Sequence, residues 1–126
     1  MNALGTHVLL ELKGCNQESL DNLPFIQQTL VYAAEATGAT VVGHTFHQFS
    51  PQGVTGVVAI AESHLCIHSW PEYSYAAVDI FTCGENFDPH KAADLIITAL
   101  ECQNASRTEI KRGLDLPVTI PEQARA

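Results

Sequence analysis

Between residues 39 and 83 the chain alternates apolar and polar positions almost without interruption. Four segments carry this pattern: "ATVVGHTFHQF" (39–49), "GVTGVVAIA" (53–61), "LCIHSW" (65–70) and "SYAAVDIFTC" (74–83). A period of two turns one face of each segment inward and the other outward, which is the signature of half-buried strands. The connections at 50–53, 62–64 and 71–73 are far too short for the crossover that parallel pairing demands, so the four strands form an antiparallel meander. A further strand, "THVLLELK" (6–13), precedes the meander, and a short one, "RTEIKRG" (107–113), closes the chain. Two helices complete the pattern. In "LPFIQQTLVYAAEATG", Leu23, Ile26, Leu30 and Ala33 share a face, Pro24 suits the first turn and Gly38 suits the stop. Asp88-Pro89 is a cap followed by proline at the first helical position, opening "HKAADLIITALEC". The last residues, "LDLPVTIPEQARA", read as a tail.

Strand, helix, four strands, helix and strand predict an α+β fold: a two-layer sandwich with a mainly antiparallel sheet and two helices on one face. The other sheet face, with Tyr75, Asp79 and Phe81, has no element left to cover it, so a homodimer is expected. The 126 residues make one domain, 1–126, and 46% hydrophobic against 16% charged residues is a globular balance. A net charge of −8 disfavours a nucleic-acid partner, which would need clustered Lys and Arg. No apolar run approaches the roughly 20 residues that cross a bilayer. The opening "MNALGTHVLLELKG" lacks the basic region of an export signal, so Cys15, Cys66, Cys83 and Cys102, without a CxxC pair, are expected as free thiols in a reducing cytoplasm.

The stretch "AESHLCIHSWPEYSYAAVDIFTCG" (61–84) concentrates Ser63, His64, Cys66, His68, Glu72 and Cys83. Pairing Trp70 with Tyr75 across the 71–73 turn sets Ser63 opposite Thr82 and within one position of Cys83. A tight turn closed by Ala61 and His64 puts Glu62-Ser63 at its tip, and "SPQGV" closed by Phe49 and Thr55 joins those two at the far end of the next hairpin. Ser63 and His68 differ by five, so a regular strand points them to opposite faces, and a bulge or the turn itself must re-aim one of them.

Several chemistries share these residue types. Serine between strands is most often a turn residue. His44, His47, His64 and His68 offer imidazoles for zinc, but the HxxH and HxxxH spacings suit helices and these segments are strands, so no metal is expected. A Ser-His-acid hydrolase would carry its serine in a GxSxG elbow, which is missing. A Cys83 nucleophile with a histidine base stays open.

The same stretch resembles the processing and active-site region of the small prokaryotic S-adenosylmethionine decarboxylase proenzymes. "GVTGVV", "ESH", "IHSWPE" and "FTCG" carry the likeness at fixed spacing, and it extends to "LGTHVLLEL" and "DIFTCGENFDPHKAADLI". The resemblance implies a pyruvoyl enzyme that makes its own cofactor. The Ser63 hydroxyl would attack the Glu62 carbonyl, and β-elimination with His68 as base would yield a pyruvoyl group, with chains 1–62 and 63–126. Thr55 stands where the family usually has serine and keeps the hydroxyl that stabilises the tetrahedral intermediate. In turnover the pyruvoyl carbonyl would form a Schiff base with S-adenosylmethionine, Cys83 would protonate the product carbanion, Phe49 and His68 would flank the adenine and Glu72 would bind the ribose. The product would supply aminopropyl groups for spermidine synthesis, and the assembly would be a dimer of cleaved protomers. Two alternatives keep the fold: a pyruvoyl-dependent arginine or ornithine decarboxylase, and an uncleaved, non-catalytic regulatory relative.

Overall fold

A computed structural model describes residues 3–83 and 86–116. Strand β1 (Ala3–Lys13) leads into a one-turn helix α1 (Gln17–Leu20) and then helix α2 (Leu23–Ala36). The meander follows as β2 (Thr40–Gln48), β3 (Val54–Ala61), β4 (Ser63–Trp70) and β5 (Tyr75–Thr82). Helix α3 (Pro89–Ala99) and strand β6 (Asn104–Leu114) finish the described chain. The expected tail lies mostly in 117–126, outside the described residues.

Each helix starts where its capping chemistry dictates. Asn22 Oδ1 accepts the Phe25 amide at 3.1 Å, and Asp88 Oδ1 accepts those of His90 and Lys91, both at 3.1 Å. These contacts satisfy amides that the first turn leaves without partners. Gly38, just beyond α2, has φ +106°, a left-handed stop that disfavours any side chain. Helix α1, with Asn16 accepting the Ser19 amide, is an element the apolar pattern was too short to reveal.

The six strands pair antiparallel in the order β2-β3-β4-β5-β1-β6. Strand β1 is therefore inserted between β5 and β6. Helix α2 packs on β2 and β3, and α3 on β1 and β5, so both cover the same sheet face. Between sheet and helices lies the core, including Val8, Leu10 and Leu12 of β1, Leu65 and Ile67 of β4, and Ile26, Leu30 and Ile96 of the helices. Burying each such side chain contributes about 1.5–3 kcal/mol. The opposite face carries Leu9, Val57, Cys66, Trp70, Asp79 and Phe81, with no element among the described residues over it; Val57 is 40% and Trp70 41% exposed.

The expected α+β sandwich is the observed one, and Trp70↔Tyr75 and Ser63↔Thr82 pair as read. Two hairpin ends differ. Ile60↔Ser63 and Ala59↔His64 pair, so the β3–β4 tip is Ala61-Glu62 and Ser63 already belongs to β4. The cause is on the other side of β3, where Ala61 pairs with Thr40 and keeps the strand extended to its end. At the far hairpin His47, not Phe49, faces Thr55. The Phe49 amide instead donates to the Gly53 carbonyl at 2.8 Å, and Gly53, at φ +108°, closes the turn two residues sooner. The strand irregularity in the meander falls in β2 between Val41 and Gly43, not in β4.

Candidate active site

The reactive residues occupy the two ends of β4. At the first end, Ser63 has φ +122°, a backbone conformation that L-residues adopt only under constraint from their surroundings. This twist, rather than a bulge, aims the side chain: Ser63 Oγ lies 3.3 Å from Cys83 Sγ. The Cys83 amide also donates to the Glu62 carbonyl at 3.3 Å. A hydroxyl, a thiol and a polarised carbonyl thus converge on the Glu62–Ser63 peptide. The pairing pattern foretold the Ser63–Cys83 contact; the backbone donor on Glu62 was missed, because amide direction is set by the end of a ladder and not by residue type.

At the second end, Thr55 Oγ1 and His68 Nδ1 are hydrogen-bonded at 3.1 Å across β3 and β4. They line a cleft of about 300 Å³ together with Phe49, Gln52, Trp70 and Glu72. Phe49 is 47% exposed, and its ring packs edge-on against His47, centroids 4.5 Å apart. Trp70 and Gln52 are lining residues that sequence reasoning passed over, although Trp70 stands inside the "HSWPE" run.

These two constellations do not meet. β4 pairs with both neighbours without a register break, so Ser63 and His68 are five regular steps apart, about 17 Å. The structure brings Glu62, Ser63 and Cys83 together at one end, and Phe49, Thr55, His68 and Glu72 at the other.

Of the four histidines weighed as zinc ligands, only His64 falls in a group of clustered candidate ligands among the described residues. His44 and His47 stay apart from His64, which instead joins His7 and Asp79 with candidate ligand atoms within 4.8 Å of one another. Arg112 donates to His7 Nδ1 at 3.0 Å, which leaves the His7 proton on Nε2, facing Asp79 Oδ2 at 3.0 Å. His64 Nε2 reaches the same oxygen at 3.2 Å. These atoms are already engaged in a hydrogen-bonded chain on the open face. All four cysteines are free thiols. Burial, with Cys102 beside it, pushes the Cys15 thiol up to about 12; burial, with Asp79 across the strand pair, pushes Cys66 up to about 11. Both stay protonated near neutrality. Cys83 is exposed.

Comparison with known proteins places this geometry. The family model for S-adenosylmethionine decarboxylase matches residues 6–113, which span both ends of β4. The chain belongs to the S-adenosylmethionine decarboxylase family. Among its relatives, the S-adenosylmethionine decarboxylase proenzyme of Thermodesulfovibrio yellowstonii is 55% identical over 114 residues, covering 90% of this chain and 84% of the relative. That of Thermotoga petrophila is 48% identical over 124 residues, covering 98% and 95%. The crystal structure of the adenosylmethionine decarboxylase from Aquifex aeolicus VF5 superimposes with a TM-score of 0.86 at 34% identity, covering 96% of this chain and all of that one. Among S-adenosylmethionine decarboxylases, then, this chain is like its relatives in length as well as in fold.

Proposed function

We propose that the chain is a proenzyme that cuts itself between Glu62 and Ser63 and then decarboxylates S-adenosylmethionine through a pyruvoyl group made from Ser63. The observation that carries this reading is the convergence of Ser63 Oγ, Cys83 Sγ and the Cys83 amide on one peptide. Attack of Ser63 Oγ on the Glu62 carbonyl carbon breaks the C–N bond, frees the Ser63 nitrogen as an amine and leaves an ester. Charge gathers on the Glu62 oxygen during the attack, where the Cys83 amide already donates. A base then takes the Ser63 α-proton, the Glu62 carboxylate leaves, and hydrolysis of the resulting enamine releases ammonia and leaves a ketone at residue 63. The names of the Thermodesulfovibrio and Thermotoga relatives, both proenzymes, support self-processing.

When formed, the pyruvoyl carbonyl supplies an amine-reactive centre and a sink for the electrons of the breaking C–CO₂ bond. The Cys83 thiol, next to residue 63, is the proton donor to the product carbon. At the other end of β4, Phe49 and Trp70 offer rings for an adenine, and the Glu72 carboxylate offers acceptors for ribose hydroxyls.

His68 is the processing base, yet about 17 Å separates it from Ser63 on one strand. A homodimer reconciles the two. If the open sheet faces stack about a two-fold axis that crosses the strands near the middle of β4, the Ser63 end of one protomer lies over the His68 end of its partner. Each of two sites then holds Ser63 and Cys83 from one protomer, and Phe49, Thr55, His68 and Glu72 from the other. The uncovered Leu9, Val57, Trp70 and Phe81 support this use of the face. No helix among the described residues is long and apolar enough to cross a membrane, and four free thiols support a reducing compartment, the cytoplasm.

Intact mass and a decarboxylation assay test the reading together. Purified protein should be two fragments, 1–62 and 63–126, the second without a free N-terminal amine. Ser63→Ala should remain one inactive chain. Release of CO₂ from S-adenosylmethionine should exceed that from arginine or ornithine by orders of magnitude; comparable rates would reassign the substrate.

A further inference from the structure

The cleft that holds Phe49 depends on a carboxylate that belongs to neither strand hairpin. Asp21 follows α1, and its Oδ1 accepts the Gly53 amide at 2.9 Å and Gln48 Nε2 at 2.9 Å. Gln48 Nε2 also donates to the Gly53 carbonyl at 3.0 Å, the same oxygen that receives the Phe49 amide at 2.8 Å. The turn from Phe49 to Gly53 is therefore closed by a small network that converges on Asp21. Gly53 has no latitude of its own, since φ is +108° and a Cβ would stand 3.1 Å from the Ser69 carbonyl. The base of the network is fixed from below: Ser69 Oγ donates to the Leu20 carbonyl at 2.7 Å and accepts the Val54 amide at 2.9 Å. α1, the turn and the start of β3 are thus tied into one hydrogen-bonded unit, with Phe49 at its exposed edge.

We infer that Asp21 is a positioning residue for the nucleoside end of the site: by holding the Phe49–Gly53 turn, it holds the Phe49 ring at the mouth of the cleft. The inference rests on the reading of that cleft as the place for the adenosyl group. Asp21 acts as a hydrogen-bond acceptor through the turn. A competing role follows from its surroundings, because Asp21, Gln52 and Glu72 also line a neighbouring cleft of about 220 Å³, where a carboxylate could meet a cationic ligand directly. The two roles separate by substitution. The amide oxygen of Asn can accept both hydrogen bonds but carries no charge, whereas Ala can do neither.

The test uses mature, self-cleaved protein and 5′-deoxy-5′-methylthioadenosine, a nucleoside thioether with no carboxylate to lose. Binding is read from the fluorescence of Trp70, the only tryptophan and a lining residue of the cleft. Asp21→Ala should raise both the Kd for the thioether and the KM for S-adenosylmethionine about tenfold, with kcat and the extent of cleavage within about twofold of wild type. Complete cleavage also shows that the variant folds. Asp21→Asn should stay within about threefold of wild type in Kd. On a Phe49→Ala background, Asp21→Ala should add almost nothing, because the ring it positions is gone. Wild-type Kd and KM in Asp21→Ala overturn the inference, as does a fall in kcat at constant KM. Equal losses in Asn and Ala overturn it in favour of direct charge contact, and additivity with Phe49→Ala overturns the route through the ring. If wild-type protein itself fails to bind the thioether, the reading of the cleft falls and the role of Asp21 with it.

Discussion

Co-expression of Ser63→Ala chains with His68→Ala chains tests whether the site is divided between protomers. Within one chain the backbones of Ser63 and His68 are about 17 Å apart along β4, several times the roughly 3 Å over which a base can take a proton. Each variant alone lacks one half of both sites in its own dimer and should remain uncleaved. In a mixed dimer one site has lost both groups, while the other joins Ser63 of the His68→Ala chain to His68 of the Ser63→Ala chain. Random pairing makes about half of the dimers mixed, so about half of the His68→Ala chains should cleave and activity should reach about a quarter of wild type. Mass spectrometry identifies the cut chain without ambiguity, since only a 63–126 fragment carrying the His68→Ala mass difference can appear. Cleavage no greater than in the His68→Ala protein alone would refute the divided site. It would also require β4 to deform far from its regular pairing for His68 to act at all.

Three further outcomes follow. Cys83→Ala should still mature, because its amide remains, but decarboxylate about 10²- to 10⁴-fold more slowly, checked by turnover normalised to cleaved protein. Ser69→Ala should destabilise the fold by about 1–3 kcal/mol in a denaturant titration, since it strands the buried Val54 amide and Leu20 carbonyl together. Stability should fall in alkali: the Cys66 thiol, raised from 9.0 to about 11 by burial and then by Asp79, keeps its proton in the fold after the unfolded chain has released it. Its contribution is therefore complete below about pH 9 and lost as the pH rises through about 11. Cys66→Ala should flatten that part of the pH–stability curve.

What could be read from the residues was whatever short-range pattern controls. The turn between Trp70 and Tyr75 is built from Pro71 and a left-handed Ser74, and that local geometry set the register which brings Ser63 to Thr82 and Cys83. The Phe49 turn escaped because its closure depends on Asp21, which lies 32 positions from Gly53. Ser63 was placed one residue too far into its turn because the length of β3 is decided by Thr40 on the neighbouring strand. The mismatch in sidedness between Ser63 and His68 was visible from their spacing, but its resolution was not. Of the two ways to re-aim a side chain, a bulge or the turn itself, the structure uses the turn, at Ser63 with φ +122°, while β4 stays regularly paired and a second chain supplies the missing half under the proposed assembly.

The position of β1 has a consequence for the life of the molecule after the proposed cleavage. A cut between Glu62 and Ser63 leaves β1, β2 and β3 on one piece and β4, β5 and β6 on the other. Because the order is β2-β3-β4-β5-β1-β6, the two pieces alternate across the sheet and share three seams: β3 with β4, β5 with β1, and β1 with β6. Neither piece can leave without unzipping ladders on both sides of β1, so maturation should release nothing and loosen little. Recovery from denaturation is another matter. The protomer of an intact precursor refolds as one chain at a rate independent of dilution, whereas the mature pieces must first find each other even to form a protomer, with β1 of one piece threading between β5 and β6 of the other. The proposed self-cleavage would therefore convert a protein that can fold repeatedly into one assembled once, whose persistence is set by how slowly it comes apart.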